Sequence, residues 1–116
     1  MLPQAAVRQA GNVAIVDLEG RITMGEGCVA VRGAIRDLVN CGNKNILLNL
    51  QAVSYIDSAG LGEMAGCYVT VAKLGGQLKL VNSQARVNSL LQVTKLYALL
   101  VTFNDEAEAL KSFAAA

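Results

Sequence analysis

Apolar and polar residues alternate over positions 13–19, with Ala14, Val16 and Leu18 on one side and Asp17 and Glu19 on the other. A period of two marks a strand with one covered face. Residues 4–10 reach it through Gly11-Asn12, a pair suited to the positive φ values of a tight two-residue turn. The chain is therefore expected to open on a β-hairpin that Gly20 closes. From 27 to about 40 the period changes: Cys28, Val31, Ile35 and Leu38 recur three and four apart, with Arg32, Arg36 and Asp37 off that stripe. This predicts an amphipathic helix. Residues 45–50 are nearly all apolar and bounded by turn residues, the pattern of a central strand buried on both faces.

Helical spacing returns at Leu61, Ala65, Tyr68 and Ala72 and stops at Gly75-Gly76. Gly62 and Gly66 each cost that helix about 1 kcal/mol relative to alanine, which implies close packing against its backbone. For Gly66 the expected cause is packing on the sheet. Leu78, Leu80 and Val81 form a further strand, Ser83 is placed to cap a helix carrying Val87, Leu90 and Leu91, and 99–103 supply a last strand. A terminal helix starts with Asp105 and Glu108 in capping-box spacing and buries Leu110 and Phe113, leaving 114–116 frayed. With no repeat or linker, the order ββαβαβαβα predicts one α/β domain over 1–116. An N-terminal β-hairpin joins a mixed, mainly parallel sheet packed with about four helices.

Composition narrows the chemistry. A chain of 116 residues can bury a core without metal or disulfides. A net charge of +1, with 16% charged residues, leaves no electrostatic footprint for nucleic acid or an anionic membrane, so a protein partner is expected. The absence of histidine removes the usual general base and every Ser/His or Cys/His nucleophile, so no enzyme, catalytic residue or cofactor is expected. Cys28, Cys41 and Cys67 are widely spaced and lack a CxxC pair, which points to reduced core thiols and to no metal site. For Cys67 a redox sensor is the competing reading to a buried thiol. Nothing resembles a leader or a membrane-spanning run, and a soluble, cytoplasmic protein without membrane insertion is expected.

The sequence Asp57-Ser58-Ala59-Gly60-Leu61-Gly62 places an acid and a hydroxyl where the apolar strand gives way to a helix. At a helix start, Ser58 is suited both to capping and to carrying a phosphate, because unpaired N–H groups and the helix dipole favour negative charge there. Asp57 is read either as orienting the Ser58 hydroxyl or as a capping acceptor. Leu61 is read either as exposed apolar contact or as core, and Gly60 and Gly62 as allowing a partner's backbone to approach or as answering local geometry. Met24 is either an interface residue or a cover for the sheet edge.

DSAGLG closes the segment NILLNLQAVSYIDSAGLG, which resembles the signature of STAS domains and of bacterial anti-sigma factor antagonists in particular. GRIT at 20–23 resembles the glycine-bearing turn before that family's first helix, and LGGQLKLVN at 74–82 its helix-to-strand junction. The resemblance covers nearly the whole chain. It implies that Ser58 is phosphorylated by an anti-sigma factor that is itself a serine kinase. The unphosphorylated form would bind this kinase and free the sigma factor, and phosphorylation would end the binding. A serine phosphatase acting on Ser58 is a second implied partner. The implied contact surface comprises Asp57, Ala59, Gly60, Leu61 and Gly62 with Arg21, Ile22, Thr23 and Met24.

The chain departs from the family at Thr23, where such antagonists often carry an acidic residue. An alternative within the same family is an adaptor subunit of a membrane transporter or of a stress-signalling scaffold. A receiver domain phosphorylated at Asp57 would need a further acidic pair after the first strand to hold Mg²⁺, and Gly20, Arg21, Ile22 and Thr23 provide none.

Overall fold

The computed structural model describes residues 4–113, so the expected fraying of 114–116 lies outside the described residues. Strands β1 (Gln4–Ala10) and β2 (Val13–Ile22) form the hairpin, with Ala10 opposite Val13 across the Gly11-Asn12 turn. Only Gly11 of that pair takes a positive φ, +61°. Helix α1 (Glu26–Asn40) follows, then β3 (Asn45–Ile56), α2 (Ser58–Lys73), β4 (Gln77–Val81), α3 (Ala85–Thr94), a 3-10 turn (Leu96–Ala98), β5 (Thr102–Phe103) and α4 (Glu106–Phe113). The sheet order is β1-β2-β3-β4-β5, antiparallel at β1–β2 and parallel elsewhere, the mixed α/β layer that the pattern predicts.

Burial follows the periodicities. Val31, Ile35, Leu61, Met64, Val87 and Leu91 carry α1, α2 and α3 onto one sheet face, against Val16, Leu48 and Ile56 among others. On the other face α4 lays Ala109 and Phe113 over Val13, Ile15, Leu47 and Val81. Both faces of the first half of β2 are thus covered, whereas its second half is covered on one.

Several boundaries differ from expectation for identifiable reasons. Gly20 does not close β2; its φ of +91° lies at a break in the β2–β3 register, where a bulge needs a conformation that side chains disfavour, and the strand runs on to Ile22. Two such breaks also hide the period of β3, which continues past Leu50 to Ile56. Ser83 does not cap α3: Gln84 takes the N-cap position without a side-chain capping bond, and the Ser83 hydroxyl donates to Asn88 Oδ1 at 2.7 Å. The last strand shortens to two residues because the Leu99 and Leu100 N–H groups bond back to Leu96 O at 3.0 and 2.8 Å, closing the 3-10 turn instead of entering the sheet. Asp105 Oδ2 accepts from the Glu108 N–H at 3.2 Å, but the Glu108 carboxylate pairs with Lys111. On α4 it is Ala109 that is buried beside Phe113, with Leu110 only half-buried.

Candidate functional site

Asp57 leaves β3 in an extended conformation and caps α2. Its Oδ1 accepts from the Gly60 N–H at 2.8 Å, and its Oδ2 accepts from the Met24 N–H at 3.4 Å. One carboxylate thus ties the turn after β2 to the start of α2. Both oxygens meet backbone donors, the role of a capping acceptor, and neither is hydrogen-bonded to the Ser58 hydroxyl. Ser58 is therefore not the capping residue, which corrects the expectation. It occupies the first helical position, exposed, and its hydroxyl has no hydrogen-bond partner among the described residues.

Around this turn the backbone is packed to contact. A Cβ on Gly27 would come 2.6 Å from Arg21 O and 2.7 Å from Ile22 Cα, and one on Gly60 would overlap Ile22 O. Two helix starts thus grip the end of β2, and Asp57 N–H donates to Ile22 O at 3.4 Å. Ile22, Gly60 and Leu61 are buried in consequence. The reading of Leu61 as exposed contact is corrected to core, since it meets the inner face of the sheet. Ile22 and Gly60 likewise shape the surface from beneath.

What remains outward is Ser58, Gly62, Arg21 and Met24, with Thr23, Asp57 and Ala59 partly exposed. Met24 is 80% exposed. Gly62 and Gly66 follow Ser58 at four-residue spacing, and a Cβ on either would meet nothing within 4 Å. Sheet packing is thus ruled out as the reason for Gly66, and neither glycine has a steric cause inside the domain. Val29 on α1 is also exposed, as its position out of phase with Cys28 and Val31 requires. Beside these residues Arg32 Nη2 pairs with Glu63 Oε1 at 2.6 Å, linking α1 to α2.

The strand that delivers Ser58 is supported by side chains where the sheet stops. β4 pairs β3 only as far as Asn49, leaving the edge of β3 open beyond it. Gln84 Nε2 donates to Gln51 O at 3.0 Å and Val53 O at 3.2 Å, and Arg86 Nε donates to Ile56 O at 3.4 Å. These residues stand in for a missing strand.

Cys28 and Cys67 are buried, and burial raises both thiols, Cys67 to about 11; Cys41 is exposed, correcting its assignment to the core. Among the described residues no three Cys, Asp or Glu side chains gather into a metal site, and no helix is long and apolar enough to cross a membrane.

The STAS domain model matches residues 4–109. The chain belongs to the STAS domain family. Among curated relatives, the anti-sigma-B factor antagonist of Bacillus subtilis (strain 168) is 36% identical over 90 residues, 78% of this chain and 81% of that protein. The anti-sigma F factor antagonist of Paenibacillus polymyxa is 28% identical over 67 residues, 58% of this chain and 57% of that protein. The crystal structure of an anti-sigma factor antagonist from Mycobacterium paratuberculosis superposes with a TM-score of 0.86 at 21% identity, covering 97% of this chain and 94% of that one. This last likeness concerns the fold, and it confirms the α/β STAS architecture expected from the sequence.

Proposed function

We propose that this STAS protein is an anti-sigma factor antagonist that works by partner switching in the cytoplasm. In its unphosphorylated form it docks the surface around Ser58, Gly62, Thr23 and Met24 onto an anti-sigma factor serine kinase, and the sigma factor is released. Phosphorylation of Ser58 ends the docking, and a serine phosphatase restores it. The observation that carries this reading is the division of labour at the start of α2: Asp57 caps the helix, so the exposed Ser58 hydroxyl is free to be modified.

The energetics favour a switch. Within the free protein a phosphate at a helix N-terminus meets unpaired N–H groups and the positive end of the dipole. In a fitted interface the same group adds roughly −1.5 to −2 charges and must be desolvated. A hundredfold loss of affinity needs only about 2.7 kcal/mol of difference between the two states.

The test is to incubate the protein and a Ser58→Ala variant with ATP and a candidate anti-sigma factor serine kinase, and to measure intact mass. One phosphate on the wild type and none on the variant is the expected result, with Ser58→Asp binding the kinase about a hundredfold more weakly. Phosphate on neither protein, or equally on both, overturns the proposal and turns attention to the transporter or scaffold role.

A further inference from the structure

We propose that Arg21, Tyr55 and Arg86 form a docking platform for a carboxylate-rich segment of a partner protein, on the sheet face opposite α1 and α2. Ile22 and Ile56 are paired across β2 and β3 and point into the helix-covered core. Alternation along the strands turns Arg21 and Tyr55, paired just before them, to the other side. There α4 covers the region of Val13, Ile15, Leu47 and Val81 and leaves this end of the sheet open.

Two guanidinium groups lie over one half-buried ring: Arg21 Cζ is 4.6 Å and Arg86 Cζ 4.2 Å from the Tyr55 centroid. Arg86 reaches it around the open edge of β3, its Nε on Ile56 O and its Nη2 donating to the Tyr55 hydroxyl at 2.8 Å. Arg8 and Arg32 each meet a carboxylate, whereas Arg21 and Arg86 meet none among the described residues. Arg21 donates no side-chain hydrogen bond there at all, and Nη1 of Arg86 is likewise without a partner.

Two like charges gathered on one ring without a counter-charge are complementary to an anion. Stacking has already ordered them, which lowers the entropy cost of a bidentate carboxylate contact. Beside Arg21 an open cleft of about 430 Å³ is lined by Glu19, Gly20, Ala52 and Ser54. That gives room for a peptide main chain next to the charges, which a small anion would leave unused. Glu19, the one acidic lining residue, makes no ion pair with Arg21 and disfavours acidic side chains at its own end, giving the peptide a direction. This platform does not depend on phosphorylation of Ser58 or on the identity of the kinase.

The experiment titrates ¹⁵N-labelled protein with an acetylated tetraglutamate amide at about 50 mM salt, following the Nε–H signals of Arg21 and Arg86 and the Tyr55 amide. Saturable shifts at these three positions are expected, with affinity reduced about tenfold in Arg21→Gln, a change that leaves the Arg86–Ile56 contact in place. Shifts spread equally over Arg36 and Lys44, or an affinity unchanged in Arg21→Gln, overturn the proposal. Tighter binding of inorganic phosphate at the same signals also overturns it in favour of a small-anion site. Because neither kinase nor ATP is present, failure here is separable from failure of the partner-switching reading.

Discussion

Gly60 at the start of α2 lies against the carbonyl oxygen of Ile22 at the end of β2, leaving no space for a side chain. The obstacle is backbone on a buried strand end, which cannot swing aside as a flexible side chain would. Gly60→Ala is therefore expected to lower stability by about 1–3 kcal/mol, the range of forced overpacking. Gly62→Ala is the opposite case, since its Cβ would meet nothing and a helical glycine gives way to the best helix former. It should raise stability by about 0.8–1 kcal/mol. Urea midpoints at constant slope give the comparison, and a destabilised Gly62→Ala would refute the assignment of its role to the surface. If a partner's backbone approaches here, the same stabilised variant binds the kinase less tightly.

Removing the Asp57 carboxylate strips acceptors from Gly60 N–H and Met24 N–H together. Asp57→Ala is expected to cost about 1–2 kcal/mol. Asp57→Asn should cost less, because its amide oxygen still accepts from the Gly60 N–H, but not nothing, because its NH₂ then faces the Met24 N–H. Thermal or urea unfolding of the two variants checks this. Equal losses would mean that the Gly60 hydrogen bond alone is not what stabilises the turn, and that the tie to Met24 and the negative charge matter more.

The sheet and its helices were legible because their signals are local. Alternation at Ala14, Val16 and Leu18, the apolar run 45–50 and the three-and-four spacing of Cys28, Val31, Ile35 and Leu38 each reflect one element and its covered face. The turn at Asp57 was legible too, but the sharing of roles within it was not. Which of two neighbouring residues caps, and which of Gly60, Gly62 and Gly66 touches backbone, depends on how β2 docks against the helix starts. The same limit applies to Arg86, whose ring partner Tyr55 lies 31 positions away and leaves no periodic trace. Bulges concealed the second half of β3 because they shift the period on which strand reading rests.

The thiols give a prediction from burial alone. Cys41 lies exposed just after α1, while Cys28 and Cys67 are buried and their thiols raised, Cys67 to about 11. Thiolate is the reactive form, so the two buried groups are doubly protected at neutral pH. Brief treatment of the native protein with iodoacetamide should modify Cys41 alone, with Cys28 and Cys67 reacting after unfolding. Rapid native labelling of Cys67 would revive its reading as a redox sensor.

Arg8 closes the fold electrostatically across three elements. Its guanidinium donates to Asp17 on β2, Nε to Oδ2 at 2.7 Å and Nη2 to Oδ1 at 3.0 Å, and to Glu106 on α4 at 2.7 and 3.1 Å. The Arg8 hydrogen bonds, aided by one from Asn49, hold the Asp17 carboxyl below its ordinary range. Because the folded state favours the ionised form, its contribution is complete above the unfolded carboxylate range, near pH 4. It fades as pH falls through the lower folded value. All three side chains are about a third or more exposed, so screening limits the effect: Arg8→Gln should cost about 0.5–1 kcal/mol at neutral pH. Urea midpoints of wild type and variant should converge as the pH is lowered below about 4. A gap of constant size down the acid limb would show that Arg8 stabilises the sheet by packing its stem rather than by pairing its charge.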